Sequence, residues 1–104
     1  MNKLVVVIGI LLMTGFHAYA IEAPSLSLGK TIFESTELGT KGRSCNGCHP
    51  QGKGLSMVGD FNDTELKDII NACLRDALGA DTISPDSQEM NALVGYVRKY
   101  QKKP

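Results

Sequence analysis

Cys45-Asn46-Gly47-Cys48-His49 is the stretch from which the rest of the chain is read. Two cysteines three residues apart project from one face of a helical turn. A histidine directly after the second can bring its imidazole under whatever the two thiols hold. Turn-forming residues flank the motif: residues 36–44 carry Gly39 and Gly42 on one side, and Pro50-Gln51-Gly52-Lys53-Gly54 leads out on the other. A third cysteine, Cys73, lies downstream, and an odd count does not suit simple disulfide pairing.

C-x-x-C-H is the pattern of covalent haem attachment, in which the two thiols hold the porphyrin as thioethers and the histidine binds iron from the proximal side. The expectation is one haem c on Cys45 and Cys48, with His49 on the iron. Two other chemistries share these residues. A thioredoxin-like redox pair needs strands alternating with helices, and no run after the first twenty residues is rich in β-branched and aromatic residues at period two. A structural zinc site of Cys45, Cys48, His49 and Cys73 has the right ligand count, but adjacent Cys48 and His49 suit one tetrahedral ion poorly.

The remaining periodicity is helical. A first helix is expected over about Leu26 to Ser35, with Leu28, Ile32 and Phe33 on one face and Gly29 permitting close approach by another helix. A second should start at Asn62 or Asp63, where Asn62-Asp63-Thr64-Glu65 forms a capping pattern. Its stripe of Leu66, Ile69, Ile70, Cys73, Leu74, Ala77 and Leu78 points Cys73 inward, and Gly79 is its stop. A last helix is expected from about Ser87 to Tyr100, with Ser84 or Asp86 as cap, Met90, Leu93, Val94, Val97 and Tyr100 on the apolar face, and Gly95 and Tyr96 beside it. Arg98, Lys99, Lys102 and Lys103 suit the negative end of its dipole.

Residues 1–20 read as a cleaved export signal: Lys3 is the basic region, Leu4 to Met13 the apolar region, and Ala18-Tyr19-Ala20 the cleavage site. The apolar stretch is too short for a bilayer, which takes ~20 residues. The mature domain is then residues 21–104, with ten basic against eleven acidic side chains, and its expected location is the periplasm, soluble. A domain of that size is marginal on its own core, so a cofactor that completes the core is in keeping with it. Of all 104 residues 21% are charged, in equal numbers of each sign, which excludes a nucleic-acid-binding stripe. Lys41, Arg43 and Lys53 read as solvated surface. Asp60 to Glu89 holds eight acidic and two basic residues, whereas the last fifteen residues hold four basic and no acidic ones.

A short helix with Gly29 and Phe33, then C-x-x-C-H, then a final helix with Leu93, Val94 and Tyr96 resembles class I cytochrome c over nearly the whole mature chain. The resemblance implies an all-α fold of three to four helices wrapped round one covalent haem, the first and last helices crossing at a Gly and aromatic contact. It also implies a second axial ligand from a distal loop, usually Met. No Met-Pro occurs on that side, so the sulfur candidates are Cys73, Met90 and Met57, beside a vacant or water-filled position. Met90 also reads as core of the last helix, and Met57 lies eight residues after His49, a short reach.

Asn71-Ala72-Cys73-Leu74, Ala77-Leu78-Gly79 and Asp86-Ser87-Gln88-Glu89-Met90 with Leu93 and Tyr96 resemble the haem domains of thiosulfate dehydrogenase and of the thiosulfate-oxidising Sox cytochromes. That resemblance implies a cysteine ligand on iron at Cys73. The expected function is that of a monohaem electron carrier and not an enzyme. His49 is the only histidine of the mature chain, and no general base stands beside a nucleophile. Redox proteins are the expected partners, of a monomer with no membrane insertion after cleavage. The alternatives are a haem subunit of a sulfur-oxidising system and a sensor with a displaceable distal ligand.

Overall fold

The computed structural model describes residues 25–104, and the expected export signal at 1–20 lies outside them. Four α-helices follow in order: α1 (Leu26–Glu34), α2 (Cys45–Cys48), α3 (Asp63–Leu78) and α4 (Gln88–Arg98). Short 3₁₀ turns at Pro50–Gly52 and Ser56–Asp60 lie between α2 and α3. The described residues form no strand, only an isolated antiparallel bridge between Gly39 and Ala80, so the fold they make is all-α. None of their helices is long and apolar enough to cross a membrane.

Each helix begins on a short polar side chain that accepts from an otherwise unpaired backbone N–H. Ser25 accepts from Leu28, Ser44 from Gly47 and Ser87 from Met90, at 3.0–3.1 Å. At α3 the Asn62 side chain accepts from the Glu65 N–H at 2.9 Å while the Glu65 carboxylate accepts from the Asn62 N–H at 3.0 Å, the full reciprocal box. The cap of α4 is therefore Ser87, not Ser84 or Asp86. Ser84 offers only its carbonyl, which accepts from the Ser87 hydroxyl at 2.7 Å. Gly79 ends α3 with φ of 63°, in the left-handed region that favours glycine.

The core is built where α1 crosses α4. Gly29 makes that crossing possible, because a Cβ there would lie 2.2 Å from the Ala92 carbonyl oxygen and 2.6 Å from Tyr96 Cβ. Ile32 and Phe33 of α1 pack with Met90, Leu93, Val94, Tyr96 and Val97 of α4. The Phe33 and Tyr96 rings tilt together with centroids 5.1 Å apart. Asn71 in α3 pairs with the backbone of Ile83 through both ends of its amide, at 2.8 and 2.9 Å, which fixes the α3–α4 connection as a strand pairing would.

Two expectations change. The basic end of α4 does more than complement a dipole: Arg98 donates to the Asp63 carboxylate and to the carbonyls of Val58 and Phe61, tying α4 to the loop before α3. The stripe along α3 divides into two rows. Leu66, Leu74 and Leu78 are buried and Ile70 half-buried, a row at spacing four that meets the protein. Ile69, Cys73 and Ala77 form a second row at the same spacing, and all three are exposed. Cys73 does not point into the core as periodicity implied, because its row faces a cleft.

Candidate functional site

The α3 row of Ile69, Cys73 and Ala77 forms one wall of a cleft that encloses about 680 Å³, counting the space at its mouth. Cys45, Cys48 and His49 of the α2 segment line it as well. Its floor is Phe33, Leu93 and Val97 from the crossing helices, with Leu55 and Val58 from the loop between.

The chemistry of this lining is restrictive. Only two of its side chains other than the cysteines are polar, Ser44 and His49. Ser44 is buried, and its hydroxyl already caps α2 by accepting from the Gly47 N–H. Among the described residues no buried side-chain nitrogen or oxygen lacks a partner. The cleft therefore presents no orphan polar atom to a hydrogen-bonding substrate, and what suits it is large and apolar.

His49 is the exception, and its second nitrogen is fixed. Nδ1 lies 2.7 Å from the carbonyl oxygen of Lys53. A carbonyl can only accept, so Nδ1 carries the proton and a neutral ring keeps its lone pair on Nε2, the arrangement of a metal-binding histidine. The loop bends tightly to bring that carbonyl in. Gln51 (φ 52°), Gly52 (φ 76°) and Gly54 (φ 82°) are all left-handed, and the Gly52 N–H donates back to the His49 carbonyl at 3.0 Å.

The three cysteines are free thiols on the one cleft. Burial pushes the Cys45 thiol up from its ordinary pKa, a backbone hydrogen bond partly opposes this, and Cys73 and Cys48 add to the rise. The Cys73 thiol, though open to the cleft, is pushed up first by the water its apolar surroundings displace, then by the negative charge of Asp76 and by Cys48. Both are neutral thiols at neutral pH.

Of the sulfur candidates for a second iron ligand, Cys73 alone lines the cleft. Met90 is 0% exposed within the α1–α4 core, and Met57 is 59% exposed on the turn at Ser56–Asp60. Neither lines the cleft. Among the described residues no three His, Cys, Asp or Glu side chains converge on a point that could hold a metal ion, which disfavours zinc on Cys45, Cys48, His49 and Cys73. Lys41 is exposed, as are Arg43 and Lys53, and its Nζ donates to the Asp76 carbonyl near the end of α3 at 3.1 Å. Sequence reasoning missed Leu55, Val58 and the Lys53 carbonyl. A backbone carbonyl leaves no mark in a sequence beyond the glycines that bracket it.

No protein-family model, curated protein or solved structure matches the chain.

Proposed function

We propose that this chain is an exported, periplasmic monohaem c-type cytochrome of class I fold, a soluble monomer that carries single electrons between redox proteins. The observation that carries the reading is the arrangement at His49. Its Nδ1–H is given to the Lys53 carbonyl, leaving Nε2 for a metal, on an apolar cleft that also holds the two thiols of C-x-x-C-H.

The residues fit the group. Cys45 and Cys48 would hold haem as thioethers and His49 would take the iron, while Phe33, Leu55, Val58, Leu93 and Val97 exclude water from its face. When bound, haem supplies one-electron exchange between ferric and ferrous iron. The Lys53 carbonyl fixes the tautomer of His49 and makes the imidazole a stronger donor. A carrier is favoured over an enzyme because the cleft lining holds no Asp, Glu, Lys or Tyr, and its one base, His49, would be taken up by iron.

The test is export of the chain in a host that attaches c-type haem, followed by haem staining after denaturing electrophoresis. A stained band at the mature size, lost on Cys45→Ala with Cys48→Ala, is expected. A mature, exported protein that never stains would refute the reading.

A second reading has an observation of its own. Cys73 lines the cleft while Met90 and Met57 do not, which favours the haem subunit of a sulfur-oxidising system, with thiolate on iron. Near-infrared magnetic circular dichroism of the ferric protein separates thiolate from thioether ligation. A thioether band would remove Cys73 from the iron, and gas binding to the ferrous protein would instead point to a displaceable ligand.

A further inference from the structure

The C-terminal segment braces the loop that carries the histidine's partner. After α4 the chain turns through Tyr100 N–H to Val97 carbonyl and Gln101 N–H to Arg98 carbonyl, both 3.1 Å, and then runs across residues 52–59. The Lys102 N–H donates to the Ser56 carbonyl at 2.9 Å, and the Gln101 side chain passes Gly59. The closest contact is at Gly52. A Cβ there would fall 2.1 Å from Tyr100 Cγ and 2.2 Å from Cδ1, so the ring lies directly over the Gly52 backbone.

The ring is itself held from three sides. Its hydroxyl is 3.1 Å from that of Tyr96, its centroid is 5.7 Å from the Tyr96 ring in an edge-on arrangement, and the Lys99 ammonium stands 4.9 Å over it. Gly52 is in turn fixed by both of its backbone groups: its N–H donates to the His49 carbonyl and its carbonyl accepts from the Leu55 N–H at 2.9 Å. Lys53, whose carbonyl takes the His49 Nδ1–H, is the next residue.

We infer that Tyr100 is a positioning residue for His49, its ring clamping Gly52 so that the Lys53 carbonyl stays on Nδ1. The inference rests on the reading of His49 as an iron ligand for its redox consequence, while the clamp itself is a property of the chain. Hydrogen bonding at Nδ1 strengthens the imidazole as a donor and so favours the ferric state; loosening the loop shifts the balance toward ferrous iron.

The test uses the exported mature protein, labelled with ¹⁵N, with Tyr100→Leu, Tyr100→Phe and, from the other side of the contact, Gly52→Ala. Three readouts are the His49 Nδ1 nitrogen shift, the hydrogen exchange of the Leu55 amide, and the reduction midpoint. Tyr100→Leu and Gly52→Ala should speed Leu55 exchange by up to about tenfold, the effect of losing about one hydrogen bond's worth of local stability, leave α3 amides unchanged, and move Nδ1 toward an unpartnered value. The midpoint should rise by up to a tenfold change in the ferric-to-ferrous ratio, about 59 mV for one electron. Tyr100→Phe, which keeps the ring, should behave as the native protein. Unchanged Leu55 and Nδ1 signals, or exchange that rises in all amides alike, would overturn the inference even if the protein stains for haem. A protein without haem whose Leu55 and Nδ1 signals respond as stated would keep the clamp and sink the cytochrome reading.

Discussion

Replacing Gly29 by alanine tests the helix crossing on which the core depends. At an exposed helical position this change would stabilise by about 1 kcal/mol, since glycine is the poorer helix former. Here the new methyl would meet the Ala92 carbonyl oxygen at 2.2 Å, its carbon at 2.9 Å and Tyr96 Cβ at 2.6 Å. Two of the three atoms are backbone and cannot swing aside. Restoring an ordinary C···O contact of about 3.3 Å requires α1 and α4 to part by about 1 Å. A gap of that size forfeits roughly a quarter to a half of the dispersion energy across the interface, here among Ile32, Phe33, Leu93 and Tyr96. Overpacking with an unyielding neighbour belongs near the upper end of the usual range, about 3 kcal/mol, so about 2 kcal/mol of net loss remains after the propensity gain. For a domain this small that lowers the melting temperature by roughly 8–16 °C. Thermal unfolding followed by circular dichroism reads it, with Gly47→Ala as control, since a Cβ there meets only Ser44 Oγ at 3.6 Å. A Gly29→Ala protein as stable as the native one would refute the crossing.

Asn71→Ala removes both hydrogen bonds to Ile83 and leaves its half-buried N–H and carbonyl without partners; urea unfolding should show a loss of about 1–3 kcal/mol, and a change within error would mean water takes over the pairing. Arg98→Lys should cost nearly as much as Arg98→Ala in the same assay, about 1–2 kcal/mol, because a lysine cannot span the Asp63 carboxylate and two carbonyls at once; Asp63→Asn should cost less, its side chain being 68% exposed. The hydrogen bond to Tyr100 and burial hold the Tyr96 phenol above its ordinary pKa of about 10. A group whose pKa is raised on folding adds stability that is complete below its unfolded value and lost as pH climbs through the folded one, so melting temperature should fall above about pH 10. Tyr96→Phe should flatten that alkaline arm, and an unaltered arm would place its cause elsewhere.

The start of α3 was legible because its capping box is written in four residues, Asn62 to Glu65; at α4 the expected caps, Ser84 and Asp86, gave way to Ser87, expected as the first helical residue. Gly29 and Gly79 were equally plain, each serving a local need that glycine alone can meet. The two rows of α3 were not. Ile69, Cys73 and Ala77 are apolar and recur at the same spacing of four as Leu66, Ile70, Leu74 and Leu78, and periodicity registers an apolar row without saying whether it meets protein or lines a cleft. The loop from Pro50 to Asp60 was invisible for another reason. Its form rests on tertiary partners, Tyr100 over Gly52, Lys102 on Ser56 and Arg98 on Val58, all more than forty positions away or close to it.

Those two hidden features meet at the cleft, and together they say what an occupant of the proposed kind would add to the chain. One row of α3 is apolar and exposed, the facing wall carries Cys45, Cys48 and His49, and water filling the space would find one free acceptor in Nε2 and no other uncommitted side-chain nitrogen or oxygen. The cleft is open at its mouth, and water against its apolar walls finds few polar partners there. A domain of this size has little surplus core with which to offset an unfilled apolar space, so an occupant that binds only the folded chain adds its binding energy to folding. Such stabilisation normally depends on ligand concentration. A guest joined to the chain through Cys45 and Cys48 escapes that dependence, because it is present at every opening and reclosing of the cleft. On the proposed haem reading, the C-x-x-C spacing would serve stability as much as redox chemistry, and the residue it would leave beside the guest is the histidine whose other nitrogen the loop has already engaged.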